Sequence, residues 1–435
     1  METEVDEPRR RTLTVGLLGC GIVGSGVVHL LREHADEIAG RLGARLQVGP
    51  VAVRTLSRNR EVADLRLTTD PHEVTANADV DIVVEVMGGI EPARGLITEA
   101  LEGGKSVVTA NKELVATLGA ELIALADARG ARLEYEAAVA GGIPIIKPLR
   151  ESLAGDRVRR VLGILNGTTN YILTKMTEEG ASFAEALGEA QRLGYAERDP
   201  TADIEGFDAA AKTAILASLA FDARIVAGDV YREGITGVTA TDIAHAERMG
   251  YVIKLLGIAE ETDGRVGVRV HPALIPDHHP LASVRESFNA VFVEGEAVGD
   301  LMFYGRGAGS LPTASAVVGD IITVARAVLS GERPANGSLL ADKPLRSFDE
   351  NTVQFFILLD VLDESGVLAA IAATFGEHDV SIRSVWQEGA GDTAQLLLIT
   401  HAAKERDVQA TLHALRGLAV VRDVASVIRV EGGEA

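Results

Sequence analysis

Residues 12–24, TLTVGLLGCGIVG, constrain the fold more tightly than any other stretch of the chain. An apolar run of β type leads straight into a GxGxxG loop. Behind the loop comes an amphipathic helical pattern, with Val27, Val28, Leu30, Leu31 and Ile38 near helical spacing, and then a second strand pattern, RLQVGPVAVR (45–54). A bare GxGxxG could be any tight glycine turn; between a strand and a helix, in a βαβ unit, it points to dinucleotide binding. Glycine there lets a pyrophosphate reach the backbone at the helix N-terminus, where free N–H groups and the helix dipole favour an anion. Gly19, Gly21, Ile22, Val23 and Gly24 are the expected cofactor contacts.

The alternation continues through DVDIVVEVMG (79–88), KSVVTAN (105–111) and ARLEYEAAV (131–139), with helical segments between them. The expected fold class is α/β, with a doubly wound parallel sheet of the Rossmann type over residues 1–145. At the end of the second strand an NAD site usually places Asp or Glu, whereas this chain has Val53-Arg54, followed by Arg58 and Arg60. Arg54 could hold a 2′-phosphate in two hydrogen bonds, which favours NADP(H) and leaves NAD(H) as the second choice. The competing reading is a solvent-facing arginine.

Residues 146–304 change character. RVRRVLGILNGTTNYILTKM (157–176) reads as strand, polar turn and helix, and RVGVRVHPAL and AVFVEGEAV read as later strands, so an inserted α+β domain is expected. YGRGAGSLPTASAVVGDIITVARAVL (304–329) is a second glycine loop before a helix. It completes the first domain over about 305–330, with Gly307 either a further cofactor contact or part of a mere connector. Residues 331–350 are rich in Gly, Pro, Ser and charge, as a linker is. Residues 351–435 carry strand and helix patterns in the order βαββαβ, a self-contained ferredoxin-like module.

A net charge of −21 argues against nucleic acid or an anionic membrane as a partner. No uninterrupted apolar run is long enough to span a bilayer, and METEVDEPRRR lacks the apolar core of a signal peptide, so the expected place is the cytoplasm. The single cysteine, Cys20, excludes an intrachain disulfide and any multi-cysteine metal site, and it sits in the glycine loop where a catalytic thiol has no place. Of 42 basic residues only eight are lysine, so lysine marks positions where a smaller or titratable amine serves. Lys112 and Lys212 are two of the eight.

ERDPTADIEGFDAAAK (197–212) places Glu197, Asp199, Asp203, Glu205 and Asp208 ahead of Lys212. Charge runs are usually solvated, and the half around Pro200 reads as a loop. From Asp208 onward, DAAAKTAILASLAF is apolar almost all round, the mark of a buried helix. Asp208 and Lys212, four residues apart, share one of its faces. A carboxylate and an amine at the mouth of a buried helix read as a site rather than a surface pair. Asp199, Asp203 and Glu205 are expected to shape the loop or face water.

The spaced set Ala190, Gly194-Tyr195, Asp199-Pro200, Asp203-Ile204, Gly206, Asp208 and Lys212, with GILNGTTNYIL (163–173), VTANKE (108–113) and EAAVAGGIP (136–144), resembles the homoserine dehydrogenase family. The likeness is to its monofunctional form with a C-terminal ACT-type regulatory domain, and it runs from about residue 12 to the end. The resemblance implies NAD(P)H-dependent interconversion of L-aspartate 4-semialdehyde and L-homoserine, on the way to threonine, methionine and isoleucine. By position it implies Lys212 as proton donor, Glu197 and Asp208 as substrate contacts, and Lys112 beside nicotinamide and substrate. It also implies a sodium site made of Glu136 and the carbonyls of Val139, Gly141 and Ile143, and a homodimer or homotetramer built through the middle domain. LDESGVLAAI (362–371) puts Gly366 where ACT domains hold an amino acid, with threonine the candidate effector and a purely structural module the alternative. Two further readings stand beside these: another NADP-linked oxidoreductase on the same scaffold, and a non-catalytic amino-acid sensor.

Overall fold

The computed structural model describes residues 11–56, 64–332, 341–390 and 393–432. The chain forms two compact units: Met1–Val158 with Ala214–Ala227 and Phe303–Asp342, and Arg159–Thr213 with Gly228–Met302 and Lys343–Ala435.

The first unit holds a six-stranded sheet of β1 (Thr12–Leu18), β2 (Arg45–Ala52), β3 (Leu67–Thr68), β4 (Ile82–Glu85), β5 (Ser106–Thr109) and β6 (Leu133–Glu134). Its order is β3-β2-β1-β4-β5-β6 and every pair is parallel. Strands covered on both faces must be apolar throughout, and Leu13, Val15, Leu17, Ile82, Val84 and Val108 are fully buried. The order reverses between β1 and β4, and such sheets bind ligands in the crevice at the carboxyl ends of the strands there. The strand expected over 131–139 shrinks to Leu133–Glu134, and Glu136–Ala138 becomes a 3₁₀ turn. Side-chain bonds pull the chain out of the sheet: Glu136 N donates to Asp320 (2.8 Å), and the Glu136 carboxylate accepts from three backbone N–H groups. The helix Ser310–Ser330 is long and apolar enough to cross a membrane, yet it serves as a core helix, with Ala314, Val317, Ile321 and Val324 wholly buried.

The second unit is built on β7 (Val158–Ile164), β8 (Tyr231–Arg232), β9 (Tyr251–Thr262), β10 (Arg265–Pro276), β11 (Phe288–Gly295), β12 (Gly299–Arg306), β13 (Thr352–Leu362), β14 (Ile382–Ala390), β15 (Thr393–Thr400), β16 (Ala403–Lys404) and β17 (Val421–Val430). The last strands, with helices Val367–Glu377 and Glu405–Arg416, form the expected βαββαβ module, whose sheet runs β17-β13-β15-β14. Its core is closed by Val367, Ile371 and Phe375 from one helix and Val408, Leu412 and Leu415 from the other.

That module is not a separate body. β17 pairs in parallel with β10 (Ala273 with Arg429, Leu274 with Val430), so one sheet runs from β12 through to β14. The seam is ionic and buried. Arg269, 2% exposed, donates to Glu260 (2.8 Å) and Glu431 (2.9 Å), and Arg160 also reaches Glu431. Arg429 bonds Glu405 on one side and Glu233 on the other, both at 2.8 Å.

Two groups at this seam tie stability to pH. Burial raises the Glu431 carboxyl, but Arg269 and Arg160 outweigh it and hold it down at about 2. Burial, reinforced by Arg429, pushes His271 down to about 3. Both groups bind fewer protons folded than unfolded, so their contribution is complete at neutral pH and is lost on acidification. The loss begins as pH falls through 6.5 for His271 and through 4.5 for Glu431. The urea midpoint is therefore expected to fall between pH 7 and pH 5, and His271→Gln to flatten that limb. A wild-type midpoint that stays level over this range would remove the linkage.

Candidate active site

The crevice of the first unit is shaped by glycines where side chains have no room. Gly19 takes φ +103°, and a Cβ on Gly24 would lie 2.5 Å from the Gly19 carbonyl oxygen. Gly21, the N-cap of helix Ile22–Glu33, faces open space, and Ile22 beside it is 75% exposed, so a ligand can reach this backbone. Val23 packs partly into the core beneath. Ser310, at the start of its helix, donates to the Ile22 carbonyl (2.9 Å). The N-termini of two helices thus lie beside the loop, and a helix N-terminus favours an anion. Arg54 is exposed just beyond the end of β2, while Arg58 and Arg60 lie outside the described residues.

Lys112 is the first residue of helix Lys112–Arg129 and is half buried. Glu85, wholly buried at the end of β4, accepts from Met87 N (2.7 Å) and Gly88 N (3.1 Å) and from the Thr109 hydroxyl (2.6 Å). The Thr109 hydroxyl in turn accepts from Asn111 N (3.1 Å), and Asn111 caps the helix through Leu114 N (3.1 Å). This chain of bonds fixes Lys112 at the carboxyl edge of the parallel sheet.

In the second unit, residues 208–213 of helix Phe207–Ala220 are all buried, Asp208 and Lys212 included. Lys212 Nζ donates to Asp208 Oδ2 and to the Leu165 carbonyl, both at 2.7 Å. Asn166, N-cap of helix Gly167–Glu179, accepts from Thr169 N (2.8 Å) and turns its amide outward. That amide donates to Asp208 Oδ2 (2.9 Å) and Asp203 Oδ1 (2.7 Å). Asp203, Asn166, Asp208 and Lys212 therefore form one network. Burial lifts the Asp203 carboxyl above its usual range, with the Asp208 charge adding to the rise and the Asn166 hydrogen bond opposing it. Two carboxylates against one ammonium leave the site net negative, which suits a substrate carrying an amine. Glu197 stands outside the network: it is exposed, and its carbonyl accepts from Gln191 Nε2 (3.1 Å).

Comparison with known proteins meets this geometry. Family models match residues 19–136 (homoserine dehydrogenase, NAD binding domain), 144–322 (homoserine dehydrogenase) and 355–420 (ACT domain). The homoserine dehydrogenase of Corynebacterium glutamicum is 51% identical over 423 residues, 96% of this chain and 95% of its own length. The chain belongs to the homoserine dehydrogenase family. The Mycobacterium tuberculosis H37Rv homoserine dehydrogenase is likewise 51% identical, over 429 residues, covering 96% of this chain and 97% of its own. A crystal structure of a homoserine dehydrogenase from Thiobacillus denitrificans superposes with a TM-score of 0.93 at 43% identity, covering 97% of this chain and 99% of that one. A hyperthermophilic archaeal homoserine dehydrogenase in complex with NADPH matches over 72% of this chain and 97% of its own, with a TM-score of 0.61 and 28% identity. The chain is an oxidoreductase acting on a CH–OH group, with a nicotinamide-nucleotide domain and an ACT domain.

In this homoserine dehydrogenase, Asp203 and Asn166 join the site although the sequence reading left Asp203 to the loop and did not single out Asn166. Ser310 was missed in the same way. Asp199 does shape its loop, accepting from Thr201 N (3.2 Å) and Oγ1 (2.6 Å). Gly307 is locked against Gly141, whose Cβ would sit 2.3 Å from the Gly307 carbonyl oxygen. The buried loop carrying Val139, Gly141 and Ile143 bends through positive φ at Ala140 (54°) and Gly141 (51°). Beside it, Glu136 caps the next helical segment, accepting from Ile145 N (2.6 Å), Ile146 N (2.7 Å) and Lys147 N (2.9 Å). Among the described residues no group of three or more His, Cys, Asp or Glu side chains is placed to hold a metal.

Proposed function

We propose that this homoserine dehydrogenase works with NADPH in preference to NADH and uses Lys212 as its proton carrier. The carrying observation is the buried Lys212 ammonium, aimed by Asp208 and the Leu165 carbonyl at 2.7 Å each. A bound NADPH supplies the hydride. Lys212 gives a proton to the alkoxide oxygen that forms at the aldehyde carbon, and the same amine takes it back in the reverse direction. Asp208, with Asp203 behind the shared Asn166 amide, holds the substrate ammonium and so sets the reacting carbon in place, with Glu197 a further substrate contact from the loop. Lys112, with the N-terminus of its helix behind it, adds positive charge beside nicotinamide and substrate. The products feed threonine, methionine and isoleucine synthesis. The test is oxidation of NADPH by the full-length protein with L-aspartate 4-semialdehyde, repeated with threonine; no turnover with this aldehyde defeats the reading.

Arg54 supports the cofactor preference, because an exposed guanidinium past the second strand can meet a 2′-phosphate in two charge-assisted bonds. Arg54→Ala should raise the Michaelis constant for NADPH by roughly tenfold or more and leave that for NADH almost unchanged. Equal changes for both cofactors would detach Arg54 from the phosphate.

A sodium ion would rest on the carbonyls of Val139, Gly141 and Ile143, since a hard cation takes oxygen ligands from an irregular loop. Glu136 already spends three acceptor positions on backbone N–H groups, so its part in this reading is to hold the loop. Threonine remains the proposed effector at Gly366, which takes φ +95° at the start of helix Val367–Glu377.

A further inference from the structure

At the edge of the second unit's sheet, β15 and β14 pair with Trp386 opposite Leu397 and Glu388 opposite Gln395. Side chains alternate along a strand, so these four share one face. The opposite face, with Ala394, Leu396 and Leu398, is packed by the module's own helices. Over the first face lies the end of helix Ala240–Arg248, and His245, Arg248 and Met249 close a cleft of about 170 Å³ with the four strand residues. Pockets for drug-sized ligands hold roughly 300–1,000 Å³, so an occupant here is small.

The cleft has a charged rim and an apolar floor. Arg248 Nη1 donates to both oxygens of Glu388 (2.8 and 3.1 Å). Its Nη2 donates to His245 Nδ1 (2.5 Å), which must therefore accept and leave the ring proton on Nε2. The Arg248 and Glu388 side chains are 53% and 62% exposed, and exposed ion pairs hold weakly, so a ligand opens this one at little cost. Trp386 lies 53% exposed in the same wall, above buried Leu397. No residue of the cleft belongs to the hydride-transfer site. A guanidinium beside a carboxylate matches the two charges of a zwitterion, and the indole, Leu397 and Met249 match an apolar side chain.

We propose that this cleft binds a free L-amino acid with a medium-sized apolar side chain, its carboxylate on Arg248 and its ammonium on Glu388. The hydroxyl-bearing threonine side chain would leave the indole and the thioether uncovered, so the cleft is a site distinct from the loop at Gly366. Binding is read without turnover, and the proposal stands apart from the catalytic assignment.

Trp386 is the chain's one tryptophan, so indole emission, excited beyond the absorption of the six tyrosines, reports on this cleft alone. Full-length protein titrated with L-methionine or L-leucine should show a saturable blue shift as the indole loses water. L-threonine, and L-methioninamide, which lacks the carboxylate, should bind about tenfold more weakly or worse. Arg248→Ala and Glu388→Gln should each weaken methionine by about tenfold while leaving NADPH oxidation without added amino acid unchanged. No saturable shift up to roughly tens of millimolar overturns the proposal, as does a shift that survives both substitutions. So does a shift that follows protein concentration instead of ligand, which would assign Trp386 to a second copy of the chain.

Discussion

Replacing Lys212 with alanine is expected to lower turnover by roughly 10²–10⁴, the range for removing a positioned acid or base. The amine sits in a close-fitting place, with Asp208 Oδ2 and the Leu165 carbonyl each 2.7 Å from Nζ. Arginine should restore little. Its guanidinium stays protonated and cannot return the proton each cycle, and its planar fork does not fit between two acceptors set for an ammonium. The loss should fall on kcat more than on the Michaelis constant for the aldehyde, since proton transfer belongs to the transition state. Asp208→Asn should move both constants, because Asp208 holds Lys212 and, in the proposed site, would also meet the substrate ammonium. A Lys212→Arg variant with near wild-type turnover would remove Lys212 from proton transfer.

A chain ending at Ser347 is expected to fail as a folded protein. Read from the sequence, residues 351–435 are a detachable module, and such a truncation would keep turnover and lose only regulation. The buried seam leads to the opposite expectation. Truncation takes β17 off Ala273 and Leu274 of β10 and leaves that stretch of the sheet edge unpaired, which invites pairing with other chains. It also removes Glu431 from Arg269 and Arg160, and Arg429 from Glu233. Stripping one partner from a buried ion pair costs about 3–5 kcal/mol, against a total stability of about 5–15 kcal/mol. Soluble yield and the thermal midpoint should collapse in the truncated chain, with Glu431→Gln showing a smaller loss of the same kind. Full turnover and an unchanged midpoint in the truncated chain would defeat this. Regulation is better sought with substitutions at Gly366, where the positive φ makes any side chain strained while leaving the seam intact.

How much was legible divides by distance along the chain. The glycine loop, the parallel sheet and the βαββαβ order could be read because strand and helix periods and positive-φ glycines are local properties of the backbone. The pairing of Asp208 with Lys212 was legible for the same reason, since four residues on one helix must meet. Asp203 was not. Its place in the site depends on Asn166, a residue 37 positions away whose side chain does double duty as a helix cap.

Glu136 shows the same division: the sequence sets a carboxylate beside a loop of carbonyls, and only the folded chain turns that carboxylate onto three N–H groups. The seam shows it most strongly. Arg269 in RVGVRVHPAL and Arg429 in SVIRV alternate with apolar residues, the pattern of solvent-facing positions on a half-buried strand. Their burial follows from β17 lying beside β10, and nothing in either strand names its neighbour. By itself, then, the sequence determined the two kinds of sheet, the glycine loop and the pairing of Asp208 with Lys212, since each is written in contacts a few residues long. Tertiary structure decided which charges are buried and which strands share an edge, because a buried charge is tolerable only where a distant part of the chain supplies its partner.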